Sequence, residues 1–292
     1  MARERGLRVL IIGCGYVGMA AGRALARAGA AVVGTTTREA RCAELAQAGI
    51  TPRVLDVADG DAVARAVARQ DVVILSVAAG RRDRPYDEVY GVAARHLACA
   101  LAEYPVARVI YTSSTSVYAQ DDGSWVDESS PTEPTSANGR VLLAAERTLL
   151  DAPVRDDLGP AHGVSIVRLA GIYGPGRDPR RFVERFSGRE RDDGNGYLNL
   201  VHRADIVAAL ERLTATTHHG VLNLNDDMPQ RRREVFDPIL VAAGLPPVRW
   251  VSPPSGGLGK RVSNRRIKTL LGMTLQYPRY GQPPTPDGAG EP

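Results

Sequence analysis

Short apolar runs alternate with amphipathic stretches along the first half of the chain. The runs RVLIIG, AAVVGT, PRVLDV, DVVILSVAA and RVIYTSS are apolar at most positions, which predicts strands that are buried on both faces. Between them, stretches such as YVGMAAGRALARAG and DEVYGVAARHLACALAEY carry apolar residues at helical spacing. This alternation predicts an α/β fold with a doubly wound parallel sheet and helices on both of its faces.

The pattern loosens after residue 150. GVSIVRLAGIYGPG and GVLNLND each contain a further strand, and ADIVAALERLTA and RREVFDPILVAAGL have helical periodicity. We predict an N-terminal domain over 1–165, joined by later strands near 164–169 and 220–225. A smaller C-terminal subdomain over 170–280 is expected to bind the substrate. The tail over 281–292 is rich in proline and glycine and is predicted to be disordered.

Composition narrows the class of protein. The chain has 292 residues and only three cysteines. Because the cysteines show no paired spacing and no Cys/His cluster is visible, we expect no disulfide and no metal, and a reducing, cytoplasmic setting. No apolar run approaches the roughly 18 residues that a membrane span needs. The sequence therefore predicts a protein that does not insert into a membrane.

Arginine supplies nearly all of the positive charge, and the net charge is +4. The clusters GRRDRP, DPRRF and QRRRE are short and lie among acidic residues. A nucleic-acid-binding protein more often concentrates its cations on one face. We therefore expect solvated loops or contacts to small anions, and no nucleic-acid partner.

The segment GCGYVG matches the pattern GxGxxG at Gly13, Gly15 and Gly18. It follows a predicted strand and opens a predicted helix, which is the context that gives the motif a mechanism. The first glycine permits a tight turn, the second lets the backbone approach a pyrophosphate, and the third lets the helix pack on the strand. The motif predicts a Rossmann domain that binds a dinucleotide, with Tyr16 and Val17 at the same turn; a turn without a ligand is the alternative.

The end of the second strand indicates which dinucleotide is preferred. Enzymes that prefer NAD carry an acidic residue about 20 positions after the motif, where it accepts the ribose hydroxyls. Here the segment GTTTRE provides Thr36 and Arg38. An arginine with small hydroxyls suits a 2′-phosphate, so we predict NADP(H) as the preferred cofactor, with NAD(H) possible. A solvated arginine in the first turn of a helix is the alternative interpretation.

Later strand ends supply the remaining predicted cofactor contacts. Asp56 ends PRVLDV and is placed to receive the amino group of adenine, although a turn or cap role is nearly as plausible. The other predicted cofactor contacts lie beside it or follow the fourth strand, namely Val57, Val77, Ala78 and Ala79.

Four ordered motifs carry a resemblance to a known family. GCGYVG, YTSSTSVYA, RLAGIYGPGR and NLVHRADIVAAL together resemble the extended short-chain dehydrogenase/reductases, which include nucleotide-sugar epimerases and dehydratases. The resemblance covers residues 7 to about 280. It implies a serine after the fifth strand, Ser114, that polarises a substrate oxygen, followed by a Tyr-x-x-x-Lys pair. In that pair the tyrosine is the acid/base and the lysine lowers the tyrosine's pKa.

The chain departs from the family at this pair. The segment NGRVLLAAE places Asn138 and Leu142 in the two positions, and neither Lys260 nor Lys268 has a tyrosine four residues before it. This combination most closely resembles an atypical, YeeZ-type group that keeps the fold and lacks the pair. Asn138 cannot supply a proton at ordinary pH. Loss of the pair is expected to cost the acid/base factor of roughly 10²–10⁴ in rate.

Three residues could replace the missing acid/base. Tyr118 lies four residues after Ser114, Tyr173 lies in GIYGPGR, and His202 lies in NLVHRAD. Each also has a structural interpretation: Tyr118 and Tyr173 as packing aromatics, and His202 as a support for the fold beside Asp205.

Two main functions remain open at this point. The first is an NADP(H)-dependent oxidoreductase or epimerase-like enzyme that acts on an unidentified small molecule with Ser114 and a non-standard acid/base. The second is a non-catalytic NADP(H)-binding sensor or scaffold, and a non-redox lyase or isomerase lies between the two. The apolar helix GRVLLAAERTLLDA suggests a possible homodimer.

Overall fold

The chain folds into two compact units whose segments alternate along the sequence. A computed structural model describes residues 6–79, 84–155, 162–251 and 257–285. The first unit takes the described residues of 1–117, 133–168 and 207–222, and the second takes those of 118–132, 169–206 and 223–292.

The strands are short and many have only two to five residues. They are β1 Arg8–Ile12, β2 Ala31–Thr36, β3 Thr51–Val54, β4 Val72–Leu75, β5 Arg108–Ser114, β6 Asp122–Val126, β7 Gly163–Leu169, β8 Gly171–Tyr173, β9 Glu190–Arg191, β10 Tyr197–Leu198, β11 Leu200–His202, β12 Gly220–Leu224, β13 Gln230–Arg231, β14 Arg249–Trp250 and β15 Gly259–Val262.

The helices range from single turns to the 14-residue helix that begins at Ala137. They are α1 Tyr16–Arg27, α2 Cys42–Gln47, α3 Gly60–Val67, α4 Val92–Glu103, α5 Ala137–Leu150, α6 Arg180–Val183, α7 Arg203–Leu213, α8 Arg232–Ala242 and α9 Arg265–Leu271.

Seven strands form the main sheet, in the order β12-β7-β5-β4-β1-β2-β3 among the described residues. The sheet is parallel, as the apolar runs predict, and Leu10 of β1 lies opposite Val33 of β2 and Val73 of β4. Every residue of β4 is buried. The strand order reverses on the two sides of β1 and β4, which confirms the doubly wound α/β fold. Such a reversal opens a crevice at the carboxyl ends of the strands.

Two helices of the first unit begin at side chains that cap their backbone. The Asp59 carboxylate accepts a hydrogen bond from the Ala62 N–H at 2.9 Å at the start of α3. The Ser136 hydroxyl accepts one from the Gly139 N–H at 3.1 Å at the start of α5. Short polar side chains at this position satisfy N–H groups that have no partner within the helix. These caps fix where α3 and α5 begin.

A buried ion pair joins α5 to β7. Arg168 donates to Glu146 at 2.7 Å through Nη2 and at 3.1 Å through Nε, and the hydroxyl of Ser113 at the end of β5 donates to the same carboxylate at 2.5 Å. Side-chain exposure is only 5% for Arg168 and 1% for Glu146. Because each buried charge is compensated by the other, the network holds α5 against the sheet.

A second buried arginine, Arg108 at the start of β5, has carbonyl and hydroxyl partners. Its guanidinium donates to the Leu213 carbonyl at 2.9 Å and to the Ser165 hydroxyl at 2.6 Å, and also to the carbonyls of His162 and His218. Burial lowers the pKa of Arg108 to about 10. The side chain therefore ties together segments of the first unit that lie far apart in sequence.

The second unit contains four small two-stranded sheets among its described residues, β8 with β11, β6 with β15, β9 with β14 and β10 with β13. A separate apolar cluster includes Val183, Phe236 and Leu240. The sequence predicts one boundary near residue 165, whereas 118–132 belongs to this unit. The reason is that β6 pairs with β15, a distant partner that no local pattern reveals.

The carboxyl-terminal segment is held by a buried carboxylate. Asp205 accepts hydrogen bonds from the N–H groups of Gln276 at 2.6 Å and Tyr277 at 3.1 Å. The chain then returns on itself, since the Thr285 N–H donates to the Gln276 carbonyl at 2.8 Å. The predicted disordered tail over 281–292 therefore begins with residues that are placed, up to 285, and the rest of it lies outside the described residues.

None of the helices in the described ranges is long and apolar enough to cross a membrane.

We predict that Glu146→Ala will lower the free energy of unfolding by about 3–5 kcal/mol, because it leaves Arg168 as an uncompensated buried charge. Chemical denaturation of the purified chain measures this. A matched control in the same unit is Asp87→Ala, which removes the carboxylate of an exposed pair with Arg95 at 3.4 Å and should change stability by less than about 1 kcal/mol. Equal effects of the two substitutions would contradict the assigned role of Glu146.

Candidate functional site

A cavity of about 510 Å³ lies at the carboxyl ends of β1, β2 and β4 in the first unit. Its lining residues are Gly13, Cys14 and Gly15; Thr35 to Arg38, with Arg41; Leu55, Asp56 and Val57; Ser76, Val77 and Ala78; and Arg84 and Val89. The volume falls within the range of about 300–1,000 Å³ that small-molecule sites occupy.

The cavity brings together most of the residues predicted to bind a cofactor. Those on its walls are Gly13, Gly15, Thr36, Arg38, Asp56, Val57, Val77 and Ala78. The others, Tyr16, Val17, Gly18 and Ala79, lie beside it without lining it. The first three occupy the first turn of α1, and the Ala79 N–H donates to the Tyr90 hydroxyl at 3.3 Å.

The glycine turn between β1 and α1 allows three segments to approach closely. Gly13 has a φ of +98°, and a Cβ placed there would lie 2.6 Å from the Ser76 carbonyl oxygen. A Cβ on Gly18 would lie 2.2 Å from the Gly13 carbonyl oxygen. The Gly13 N–H donates to the Thr35 hydroxyl at 2.9 Å. The turn is therefore packed against both neighbouring strand ends.

Gly15 is different, because a Cβ there would meet no atom within 4 Å. Open space in front of this glycine is what a pyrophosphate requires, and Gly15 is also the N-cap residue of the 12-residue helix α1. With no side chain at the cap, the N–H groups and positive dipole of the helix end face the open space. The residues present therefore fit the phosphate portion of a dinucleotide.

Two arginines stand at the end of β2. The Arg38 side chain is exposed, and its backbone N–H donates to the Thr36 hydroxyl at 3.2 Å. Arg41 donates to the Cys14 carbonyl at 2.7 Å and pairs with Glu44 at 2.9 Å. Sequence reasoning named Arg38 and missed Arg41. The signal for Arg41 was its position one helical turn further on, which returns a side chain to the same side.

Asp56 has a cationic partner that the sequence did not indicate. Arg84 donates to its Oδ1 at 2.7 Å and to its Oδ2 at 2.5 Å. This hydrogen bonding holds the pKa of Asp56 below its ordinary value, so the carboxylate is charged at neutral pH. Arg84 belongs to the cluster GRRDRP, for which we expected only a solvated loop or contacts to small anions.

Ser114 lies at the end of β5, where its hydroxyl accepts a hydrogen bond from the Ser116 N–H at 3.2 Å. The neighbouring Ser113 is buried and donates to Glu146, so the two serines have separate roles. In α5, Asn138 is exposed and Leu142 is only 3% exposed. Leu142 is therefore a packing residue.

The three predicted acid/base substitutes are all buried residues of the second unit. The Tyr118 hydroxyl donates to the Asn223 side chain at 2.9 Å. The Tyr173 hydroxyl has no hydrogen-bond partner among the described residues. Burial, followed by the charges of Asp226 and Asp205, raises the pKa of Tyr173.

His202 packs between aromatic rings. Its ring centroid lies 3.5 Å from that of Tyr277 and 5.0 Å from that of Tyr173, and its Nδ1 accepts a hydrogen bond from the Ala204 N–H at 3.2 Å. Burial, followed by the charge of Arg203, lowers the pKa of His202 to about 4. The ring is therefore neutral at pH 7 and can accept a proton but has none to give as an imidazolium.

Asp226 is a buried titratable group that sequence reasoning missed. It is 2% exposed, and its Oδ1 has no hydrogen-bond partner among the described residues. Burial raises the pKa of Asp226 to about 8, so the carboxyl is protonated at neutral pH. The segment NLNDD does not indicate that Asp226 is buried, because burial depends on the three-dimensional fold.

No group of histidine, cysteine and acidic side chains in the described ranges has the arrangement of a metal site.

The chain is similar to proteins of known sequence and to proteins of known structure. Protein YeeZ of Escherichia coli K12 is 32% identical over 277 residues, which cover 93% of this chain and 96% of YeeZ. A conserved protein of unknown function from Silicibacter pomeroyi DSS superimposes with a TM-score of 0.70 at 28% identity, covering 94% of this chain and 95% of that one.

A further similar structure contains ligands. MoeE5, solved in complex with UDP-glucose and NAD, superimposes with a TM-score of 0.74 at 25% identity, covering 91% of this chain and 93% of that one. The model of the NAD dependent epimerase/dehydratase family matches residues 9–223. With the glycine turn, the cavity beside it and a match over most of its length, the chain belongs to the NAD dependent epimerase/dehydratase family.

Proposed function

We propose that this chain is an NADP(H)-dependent oxidoreductase or epimerase-like enzyme that acts on a small polar molecule with a non-standard acid/base. The observation that carries the proposal is the cavity of the first unit, where an open glycine turn and the end of a helix meet two arginines. When bound, a nicotinamide dinucleotide supplies the hydride chemistry that the side chains lack.

The arginines support the preference for a 2′-phosphate. Arg41 already donates to the Cys14 carbonyl and pairs with Glu44, and Arg84 is paired with Asp56. In contrast, the hydrogen bonds of Arg38 with the Thr36 hydroxyl use its backbone, and its guanidinium makes no ion pair or hydrogen bond with another described residue. A guanidinium without a partner at the end of β2 suits a dianionic phosphate, where it gains a charge-assisted hydrogen bond. MoeE5, in comparison, was solved with NAD, so the support for an NADP(H) preference comes from this chain's own residues alone.

Ser114 is the residue proposed to touch the reacting oxygen. A serine hydroxyl can donate a hydrogen bond to a carbonyl and accept one from an alcohol. Because Ser113 is committed to Glu146, Ser114 is the hydroxyl at the end of β5 that can serve in this way. The proton must come from a group other than Asn138 or Leu142, since an amide and an alkyl group do not titrate at ordinary pH.

A non-catalytic NADP(H)-binding sensor is the second candidate, and one observation favours it. Leu142 is 3% exposed and packs in the core of the first unit, so the position of the family's lysine has become structural. A sensor would keep dinucleotide binding and would show no dependence of any turnover on Ser114.

The central experiment is a fluorescence titration of the purified chain with NADPH and NADH. We expect Arg38→Ala to weaken NADPH binding by about tenfold, or about 1.4 kcal/mol, because one charge-assisted contact to the 2′-phosphate is lost. NADH binding should change by less than about twofold, since that cofactor lacks the phosphate. The matched control is Arg65→Ala, which removes an exposed arginine that does not line the cavity.

Equal loss of NADPH and NADH binding in Arg38→Ala would contradict the predicted preference for a 2′-phosphate. Failure of wild-type chain to bind either dinucleotide would overturn both candidate functions.

A second prediction separates folding from binding at the glycine turn. Gly15→Ala should leave the melting temperature near that of wild type, because a Cβ there meets no atom within 4 Å, and should weaken dinucleotide binding by filling the space for the phosphates. Gly13→Ala should lose about 2 kcal/mol or more of stability, since a side chain is strained at positive φ and meets backbone. A thermal melt and a titration of each variant give both quantities. Unchanged binding in Gly15→Ala would refute a phosphate site at this turn.

A third prediction addresses catalysis. In any assay that detects turnover, Ser114→Ala should lower kcat/KM by about 10²-fold or more, because it removes the hydrogen bond to the reacting oxygen. Dinucleotide affinity should stay within about twofold of wild type. Ser116→Ala is a suitable control, since Ser114 contacts the backbone N–H of this neighbour and the side-chain change leaves that contact intact. Turnover that is unaffected by Ser114→Ala would exclude Ser114 as the polarising group.

A further inference from the structure

We propose that Arg84, held in place by Asp56, recognises the adenine base of the bound dinucleotide by presenting the flat face of its guanidinium to the ring. This inference rests on the proposed function and adds to it a residue that determines specificity for the base. Its evidence lies within the cavity of the first unit.

The first step concerns how the guanidinium is held. Two parallel hydrogen bonds join Arg84 to Asp56, from Nη1 to Oδ1 at 2.7 Å and from Nη2 to Oδ2 at 2.5 Å. A bidentate pair of this kind fixes the plane of the guanidinium as well as its position. Because the hydrogen bonds use the edge of the group, its two faces remain available for stacking.

The second step concerns why the pair exists. Each side chain is 40% exposed, and an ion pair as exposed as this contributes little to stability. Both residues line the same cavity as Gly13 and Gly15. Stability therefore gives little reason for the pair, whereas its place on the cavity wall provides one.

The third step concerns the surroundings of the pair. Four apolar residues line the same cavity, namely Leu55, Val57, Val77 and Val89. A purine has a polarisable face on every ring, and a guanidinium stacked against such a face is attracted to it. Apolar walls with one oriented cation match a flat, uncharged, aromatic group.

The fourth step reconciles Arg84 with the predicted role of Asp56. A carboxylate offers about four acceptor sites. In the described residues, three are used: Oδ1 accepts from the Ala58 N–H at 3.0 Å and from Arg84, and Oδ2 accepts from Arg84. One site on Oδ2 is left for the exocyclic amino group of adenine. Asp56 can therefore orient Arg84 and bind the edge of the base at once.

The test is a set of titrations on the full-length chain by calorimetry and fluorescence. The probes are NADPH, its hypoxanthine analogue without the adenine amino group, 2′,5′-ADP, and reduced nicotinamide mononucleotide. The variants are Arg84→Ala and Arg84→Lys. The control is Arg95→Ala, which also removes an exposed, ion-paired arginine but does not line the cavity.

We expect Arg84→Ala to weaken NADPH, its hypoxanthine analogue and 2′,5′-ADP by the same factor, about five- to tenfold. The equal factor follows because each probe carries a purine ring. Arg84→Lys should lose nearly as much, since an ammonium keeps the charge but has no flat face. The mononucleotide, which has no purine, and the control variant should be unaffected.

Several outcomes overturn the inference. Binding of all probes within twofold of wild type in Arg84→Ala would show that the residue makes no contact with the base. Full rescue by Arg84→Lys would indicate a phosphate contact, and tighter binding in Arg84→Ala would mean that Arg84 competes with the base for Asp56. If the wild-type chain binds none of the probes, the proposed function fails with it; binding that is insensitive to Arg84 defeats this inference alone.

Discussion

The close packing of the β1–α1 turn against the end of β4 is the constraint on which the functional half of the molecule depends. At Gly13, a single added carbon would lie 2.6 Å from the Ser76 carbonyl oxygen, so the strand ends can meet only if this position has no side chain. The same turn is tied to β2 through Thr35 and to α2's preceding residue Arg41 through the Cys14 carbonyl. Gly15, in the same turn, faces open space, since a Cβ there would meet no atom within 4 Å. Gly13 and Gly15 both line the cavity.

A second constraint acts on α5. The residues that anchor this helix to the rest of the first unit differ from Asn138 at its start. Glu146 is held by Arg168 and Ser113, and Leu142 and Leu149 pack in the core. These contacts anchor the helix without any contribution from Asn138, which is exposed. A change of residue at position 138 is therefore compatible with the fold. Membership in the family consequently establishes the scaffold, while the reaction has to be decided by the residues around Ser114.

How much the sequence could predict follows from the range of each interaction. Strands and helices of the first unit depend on local periodicity, and the glycine turn depends on a motif of six residues, so both were predictable. Other features depend on segments that are distant in the sequence. They are the pairing of β6 with β15, the contact of Arg84 with Asp56 and the burial that raises the pKa of Asp226. Arg84 lies in a cluster of arginines and an acidic residue, GRRDRP. The sequence of this cluster does not indicate whether Arg84 is solvated or forms an ion pair. Such contacts depend on the three-dimensional fold and produce no periodic pattern of residues in the sequence.

The charge balance of the cavity connects these observations. Its walls carry three arginines and one carboxylate, but Arg84 is neutralised by Asp56 and Arg41 is paired with Glu44. Arg38 is left as the positive charge with no ion-pair partner among the described residues. A fixed excess of one charge beside a helix N-terminus favours an anion, whereas a neutralised guanidinium with a free face favours an aromatic ring. An adenosine phosphate has an anionic phosphate at one end and an aromatic base at the other. The functions that we propose for these arginines therefore differ because their partners differ, although the sequence presents them as the same residue.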